Sequence, residues 1–228
     1  MSTQGFIYIQ FCVKIGKKYE IFIFPPQKFV ARSYTASDDK HFLYFCSMNR
    51  DITIRQATVT DAEFIAHAVC MAVGYDMSHP IYPVFLHLAR MEHSQYSYVN
   101  TLVAEVGGRV AGALVGYDGA HLKELREPIF PLLEQHLGEA INIEDETEAG
   151  EFYLDSLGVL PECRGCGIGR ALIVAMRDRA FAEGYERVGL IVDFDNPDAE
   201  RLYQSLGFRR VGTKRFLGHD MHHLQVWC

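Results

Sequence analysis

An α/β fold built on a mixed sheet is predicted for this 228-residue chain by three observations. Two alternating segments, YVNTLVAEV (98–106) and RVAGALVGY (109–117), are joined by Gly107-Gly108, a pair that tolerates positive φ and marks a hairpin. Beyond residue 150 the pattern twice passes from strand through helix to strand: FYLDSLGVL (152–160), GIGRALIVAMRDRAFAEG (167–184), RVGLIVD (187–193), PDAERLYQSLG (197–207) and FRRVGTKRF (208–216). Both helices carry their own punctuation. Gly184 stops the first, and the second has Asn196 as cap, Pro197 at its first position and Gly207 past its end.

The remaining elements follow in order. ITIRQA (52–57) alternates as a strand. Thr60 with Glu63 reads as a capping box opening an apolar helix to about Val73, and a second helical stretch, VFLHLARM, follows Pro83. Residues 120–148 read as helical and then strongly acidic (EDETEAGE, 144–151), and HHLQVWC (222–228) closes the chain as a strand.

Residues 1–50 differ in kind. They hold 11 of the 27 Phe and Tyr and seven Lys or Arg against three Asp or Glu. Their alternation allows a short hairpin with Gly16 in the turn, ended by Pro25-Pro26. The expected division is an extension, residues 1–47, outside the core fold, and a domain from 48 to 228.

The formal net charge is −7 and falls mainly on that domain. An acidic body argues against nucleic acid as the partner, since phosphate binding needs clustered basic residues. It suits a cationic small molecule or a basic peptide. No apolar run approaches the roughly 20 residues that span a bilayer, and the start lacks the basic and apolar regions of a signal peptide. The six cysteines are scattered and read as reduced, which together indicate a cytoplasmic protein. Cys163 and Cys166 form one C-x-x-C. A zinc site would want further ligands from His219, His222 and His223, which sit in a strand pattern; no metal is expected.

The run VLPECRGCGIGRAL (159–172) places three glycines at the start of a helix. The first turn of a helix presents backbone N–H groups without intrahelical partners, and an anion there gains on the order of 0.3–2 kcal/mol per charge. Gly165, Gly167 and Gly169 clear β-carbons from that surface, and Arg164 and Arg170 add charge at its rim: a cradle for a pyrophosphate. The lysine and hydroxyl of a Walker loop are missing, and the G-x-G-x-G spacing is not the dinucleotide fingerprint.

Arg164-Gly165-Cys166-Gly167-Ile168-Gly169 resembles the acyl-CoA-binding motif of the GNAT acetyltransferase superfamily, and NPDAERLYQSLGF (196–208) resembles the superfamily's asparagine-to-tyrosine helix, over about residues 52–228. The resemblance implies a mixed, mostly antiparallel twisted sheet with a parallel, splayed central pair and flanking helices. It implies acetyl-CoA as co-substrate, with its pyrophosphate on Arg164, Gly165, Cys166, Gly167, Ile168, Gly169 and Arg170. The pantetheine arm would pair with Leu157, Gly158 and Val159, and Asn196 would contact the coenzyme. Gly158 suggests a bulge that splays the strands. Tyr203, two helical turns after Asn196 on the same face, takes the general-acid role.

The base is less determined. The glutamate that some members carry matches Ile191 here, which leaves Asp155, the preferred candidate, with Glu151 and Asp193 beside it, or water alone. The acidic segment 142–151 reads as a solvated loop or as a lip that attracts a cation. The expected activity is N-acetyl transfer to a small-molecule or peptide amine, with a homodimer left open. The rival is an acyl-CoA-binding module without turnover.

Overall fold

The computed structural model describes residues 13–15, 18–20, 51–137 and 143–228. Strands β1 (Val13–Ile15) and β2 (Lys18–Glu20) pair antiparallel with each other; Gly16, expected in their turn, lies outside the described residues. The domain that follows runs β3 (Ile52–Gln56), α1 (Ala62–Ala72), α2 (Tyr82–Arg90), β4 (Thr101–Val106), β5 (Arg109–Asp118), α3 (Leu122–Arg126), α4 (Ile129–Leu137), β6 (Phe152–Val159), α5 (Ile168–Ala182), β7 (Arg187–Asp193), α6 (Pro197–Ser205), β8 (Arg209–Phe216) and β9 (His219–Trp227). Among the described residues no helix is long and apolar enough to cross a membrane.

Seven strands form one sheet in the order β3-β4-β5-β6-β7-β9-β8. All neighbours are antiparallel except β6 and β7. The mixed, mostly antiparallel sheet read from the sequence is the one observed. Gly107 and Gly108 turn the β4–β5 hairpin at φ of 57° and 76°, where a β-carbon would be strained.

Strand alternation divides the core in two. Leu114, Phe152, Leu154 and Leu190 pack against Ile168, Leu172 and Met176 of α5 and Leu206 behind α6. Val103, Ala113, Val115, Tyr117 and Tyr153 turn to the other face, against Ile65 and Val69 of α1, Phe85 and Leu88 of α2 and Leu133 of α4. Both faces of the central strands are buried, so their sequences read as nearly continuous apolar runs.

Two local expectations are corrected. The capping box is Thr58 with Asp61, two residues before the predicted Thr60 and Glu63. A 3₁₀ turn over Val59–Asp61 leads into α1. The Asp61 carboxylate accepts the Thr58 N–H at 2.8 Å and pairs with Arg55 of β3, also at 2.8 Å. The guanidinium holds Asp61 below the usual carboxylate range. Arg55 is the cation that selects the buried Asp61; Glu63 stays exposed.

The second correction concerns Gly158. The bulge in β6 lies earlier: Leu157 faces Leu114 and Leu154 faces Gly116, so Asp155 and Ser156 together oppose Val115. Gly158 pairs regularly with Ala113. Its missing side chain serves packing instead, because a β-carbon there would lie 2.5 Å from Ala68 Cα in α1. The helix rests on the strand with nothing between. Gly158→Ala is therefore expected to cost about 1–3 kcal/mol, the range for overpacking a filled core, and to lower the thermal melting midpoint; an unchanged midpoint would show that α1 can lift off β6 without cost.

Candidate active site

Strands β6 and β7 are joined by only two residue pairs, Phe152–Val188 and Tyr153–Gly189. Past that point they part, and the backbone of β6 from Leu154 onward has no strand partner on that side. Leu160 N–H donates to Ala111 O of β5 at 2.9 Å. Alternation then turns the N–H and C=O of Leu157 and Val159 towards the gap. Only the Val159 carbonyl meets a protein donor among the described residues, Arg164 Nε at 3.2 Å. The strand thus offers an open backbone edge inside the molecule.

What closes the pair below the gap is Glu151, fully buried at the foot of β6. Its carboxylate accepts from Thr147 Oγ1 at 2.7 Å and Gln225 Nε2 at 2.6 Å, and meets His223 Nε2 at 2.9 Å. A β-carbon at residue 189 would overlap this carboxylate, which explains Gly189 in the middle of β7. Burial alone would raise the Glu151 carboxyl, but the bonds from His223, Thr147 and Gln225 hold it below the usual glutamate range. Glu151 is thus committed below the gap. Asp193 is committed too, with its Oδ1 accepting the Asp195 N–H at 2.8 Å in the turn before α6.

The cavity in the gap is lined by Leu154, Asp155, Leu157, Ile191, Leu202 and Tyr203 among others. Asp155 and Tyr203, the two predicted catalytic residues, thus line one cavity, together with Ile191 at the position matching the family's glutamate. They arrive from opposite faces of the sheet. Tyr203 packs with the α5–α6 core and stands edge-on to Phe208, ring centroids 6.0 Å apart. Burial pushes its phenol up to about 12. Asp155 sits in the bulge and turns to the α1–α2 face, where its Oδ2 accepts from the Tyr117 hydroxyl at 2.7 Å and Gln95 Nε2 at 2.8 Å.

The glycine loop before α5 leaves its backbone open. Gly165 and Gly167 lie at φ of 76° and 87°, and a β-carbon on either would meet nothing within 4 Å. Left-handed backbone with open space over it is a surface, not a packing constraint. Gly167 caps α5, whose first helical bond, Ala171 N–H to Gly167 O at 3.0 Å, leaves the N–H groups of Ile168, Gly169 and Arg170 without helical acceptors. Cys166 is exposed and the Ile168 side chain is buried in the core. Gly169 stands 3.5 Å from Leu157, an ordinary contact. Arg164 is exposed, with its Nε on the Val159 carbonyl. Arg170 reaches away from the loop, to Ser205 Oγ of α6 at 2.7 Å. Asn196 is buried, and its Oδ1 caps α6 through the Ala199 N–H at 3.1 Å.

The sequence reading of segment 142–151 missed its inner half. Glu146 and Thr147 are buried, not solvated. Glu146 pairs with the buried Arg126 of α3 and accepts from Gln95 Nε2 at 3.1 Å, on the same amide that reaches Asp155. An Arg at the end of a short helix and a Glu twenty residues later give no periodic signal; only the count of acidic residues was visible.

Residues 69–208 match the Acetyltransferase (GNAT) family model. A solved acetyltransferase is 35% identical, with a TM-score of 0.66, covering 77% of this chain and 98% of that one. An N-acetyltransferase from Staphylococcus aureus Mu50, 23% identical with a TM-score of 0.66, shares the fold over 76% of this chain. N-alpha-acetyltransferase RimI of Mycobacterium tuberculosis is 37% identical over 110 residues, 48% of this chain and 54% of that protein. Mycothiol acetyltransferase of Kineococcus radiotolerans is 50% identical over 68 residues, 30% of this chain. The chain spans 22% of that relative and about half of RimI, as the 54% states. In sequence over more than half its length, and in fold over 98% of a solved acetyltransferase, the chain belongs to the GNAT family.

Proposed function

We propose that the protein transfers an acetyl group from acetyl-CoA to the amine of a small molecule or peptide, by direct attack in the gap between β6 and β7. The observation that carries this reading is the early end of the β6–β7 ladder, which leaves the backbone of Leu157 and Val159 without a strand partner beside a cavity lined by Leu157, Asp155 and Tyr203. A pantetheine arm carries amide groups that can pair with such an edge as a missing strand would. The cradle holds the pyrophosphate on the backbone N–H groups of Gly165, Cys166, Gly167, Ile168, Gly169 and Arg170, the Arg164 side chain adds its charge, and Asn196, which caps α6, contacts the coenzyme.

Proton transfers set the chemistry. A lysine-like amine with a pKa near 10.4 costs roughly 4–5 kcal/mol to deprotonate at neutral pH. Asp155, on the α1–α2 face of the gap, takes that proton. Tyr203, on the other face, gives one to the departing thiolate. Its phenol, pushed up to about 12, stays protonated at neutral pH.

Thiol release from acetyl-CoA, followed across a panel of amines, tests the activity. Amine-stimulated release is expected; tight coenzyme A binding without any stimulation would favour the binding module instead. Tyr203→Phe should lower kcat by on the order of 100-fold, the low end for a lost proton-transfer group, and leave the calorimetric Kd for coenzyme A within about twofold. Gly167→Arg should abolish coenzyme binding, whereas its left-handed backbone alone costs about 1–2 kcal/mol of stability. Residues 1–47 stand outside the domain in this reading, so their deletion should leave the melting midpoint of the remaining chain unchanged.

A further inference from the structure

A group of buried polar side chains lies behind Asp155, between the α1–α2 face of the sheet and segment 143–148. Glu146 Oε1 is 3.1 Å from Gln95 Nε2 and 3.5 Å from the Tyr117 hydroxyl. The same hydroxyl is 2.7 Å from Asp155 Oδ2, and the same amide is 2.8 Å from it. One phenolic proton thus has two carboxylates within reach, one facing the gap and one sealed in the core. The other Glu146 oxygen pairs with Arg126, which also contacts Asp145 at 3.4 Å, and Asp145 is about half exposed. Tyr96 and Tyr153 complete the surroundings, both buried and both within the field of Asp155, Glu146 and Arg126.

A carboxylate sealed in a core is expensive unless it is paired, and a pair replaced by apolar groups is often no less stable. Tyr117 and Gln95 on the candidate base, with the Glu146–Arg126 pair behind them, therefore ask for a reason beyond stability. We propose that Glu146 is the far end of a proton relay, running from the acceptor amine through Asp155 and Tyr117, with Gln95 and Arg126 holding its members in register. Of the two protons that the ammonium nitrogen loses overall, one replaces the proton Tyr203 gives to the thiolate. The other leaves as the net proton of the reaction and is the one the relay takes. It passes from nitrogen to Asp155 Oδ2; Asp155 returns it to the Tyr117 oxygen as the phenolic proton moves to Glu146 Oε1. The phenol and the Asp155 carboxylate are restored, and Glu146 is left neutral.

The protonation state of Glu146 fits this part. Burial pushes its carboxyl up to about 7, opposed by Arg126 and assisted by the charge of Asp155. Near neutral pH the relay's end is thus poised to take a proton and give it up again. A purely structural ion pair would want a carboxylate that stays charged. The sign follows directly: the relay needs Glu146 ionised, so turnover rises with pH through about 7 and is lost below it.

The relay rests on the N-acetyltransferase reading, and its test separates the two. The pH dependence of kcat is measured with saturating acetyl-CoA and amine for the full chain and for Glu146→Gln and Tyr117→Phe. The wild type is expected to show an acid limb near pH 7 beside that of the amine. Both variants should lose that limb, fall by on the order of 100-fold at neutral pH, and keep coenzyme A affinity. Tyr117→Phe keeps the Glu146–Arg126 pair and so covers a Glu146→Gln chain that fails to fold. Infrared titration adds a readout independent of turnover: a protonated carboxyl band that disappears as pH rises through about 7 and is missing in Glu146→Gln. An active wild type whose folded variants keep both limb and rate overturns the relay and leaves the transferase reading standing. A wild type that no amine stimulates overturns both.

Discussion

Two parallel strands that stop pairing after two residue pairs set the rest of this molecule in order. A sheet normally satisfies every backbone group in its interior, and here β6 declines to do so from Leu154 onward. The fold tolerates this because each side of the break is anchored separately. Below it, Glu151 ties β6 to β9 through His223 and Gln225, across the bare backbone of Gly189. Above it, β6 keeps its regular ladder with β5 up to Gly112–Val159, and α1 lies directly on Gly158. Polar backbone, exposed inside a rigid frame, is preorganised for a partner that brings complementary amides.

The break also brings the two faces of the sheet together. Elsewhere they are separate cores, one under α5 and α6 and one under α1, α2 and α4. In the gap, Tyr203 from the first meets the same cavity as Asp155 from the second. In the proposed reaction these two side chains serve as acid and base, and a group lying between the strands is approached by one from each face. The bulge at Asp155 and Ser156 is what turns the aspartate to its face.

Much of this was legible in the sequence. Alternation and the Gly107-Gly108 turn gave the β4–β5 hairpin, and Asn196, Pro197 and Gly207 bounded α6, because caps and turns are local and their residues stand next to each other. The loop at 164–169 was readable for the same reason: glycine at positive φ has few substitutes. Long-range pairings were not legible. Asp61 was passed over as a cap because its choice depends on Arg55 in the neighbouring strand. Gly158 was read as a bulge because the helix that touches it, α1, lies ninety residues earlier in the chain. Glu146 vanished into a run of acids, since its burial depends on Arg126 and Gln95 and no periodicity joins them.

The central claim is that the open backbone edge of β6 is a binding surface, and amide hydrogen exchange measures it residue by residue. In the free protein the N–H groups of Leu157 and Val159, facing the gap, are expected to exchange far faster than that of Gly158, which is bonded to β5. Saturating coenzyme A should slow those two amides and leave Gly158 unchanged. Amides at 157 and 159 that are protected without coenzyme, or that exchange at the same rate with and without it, would contradict the account.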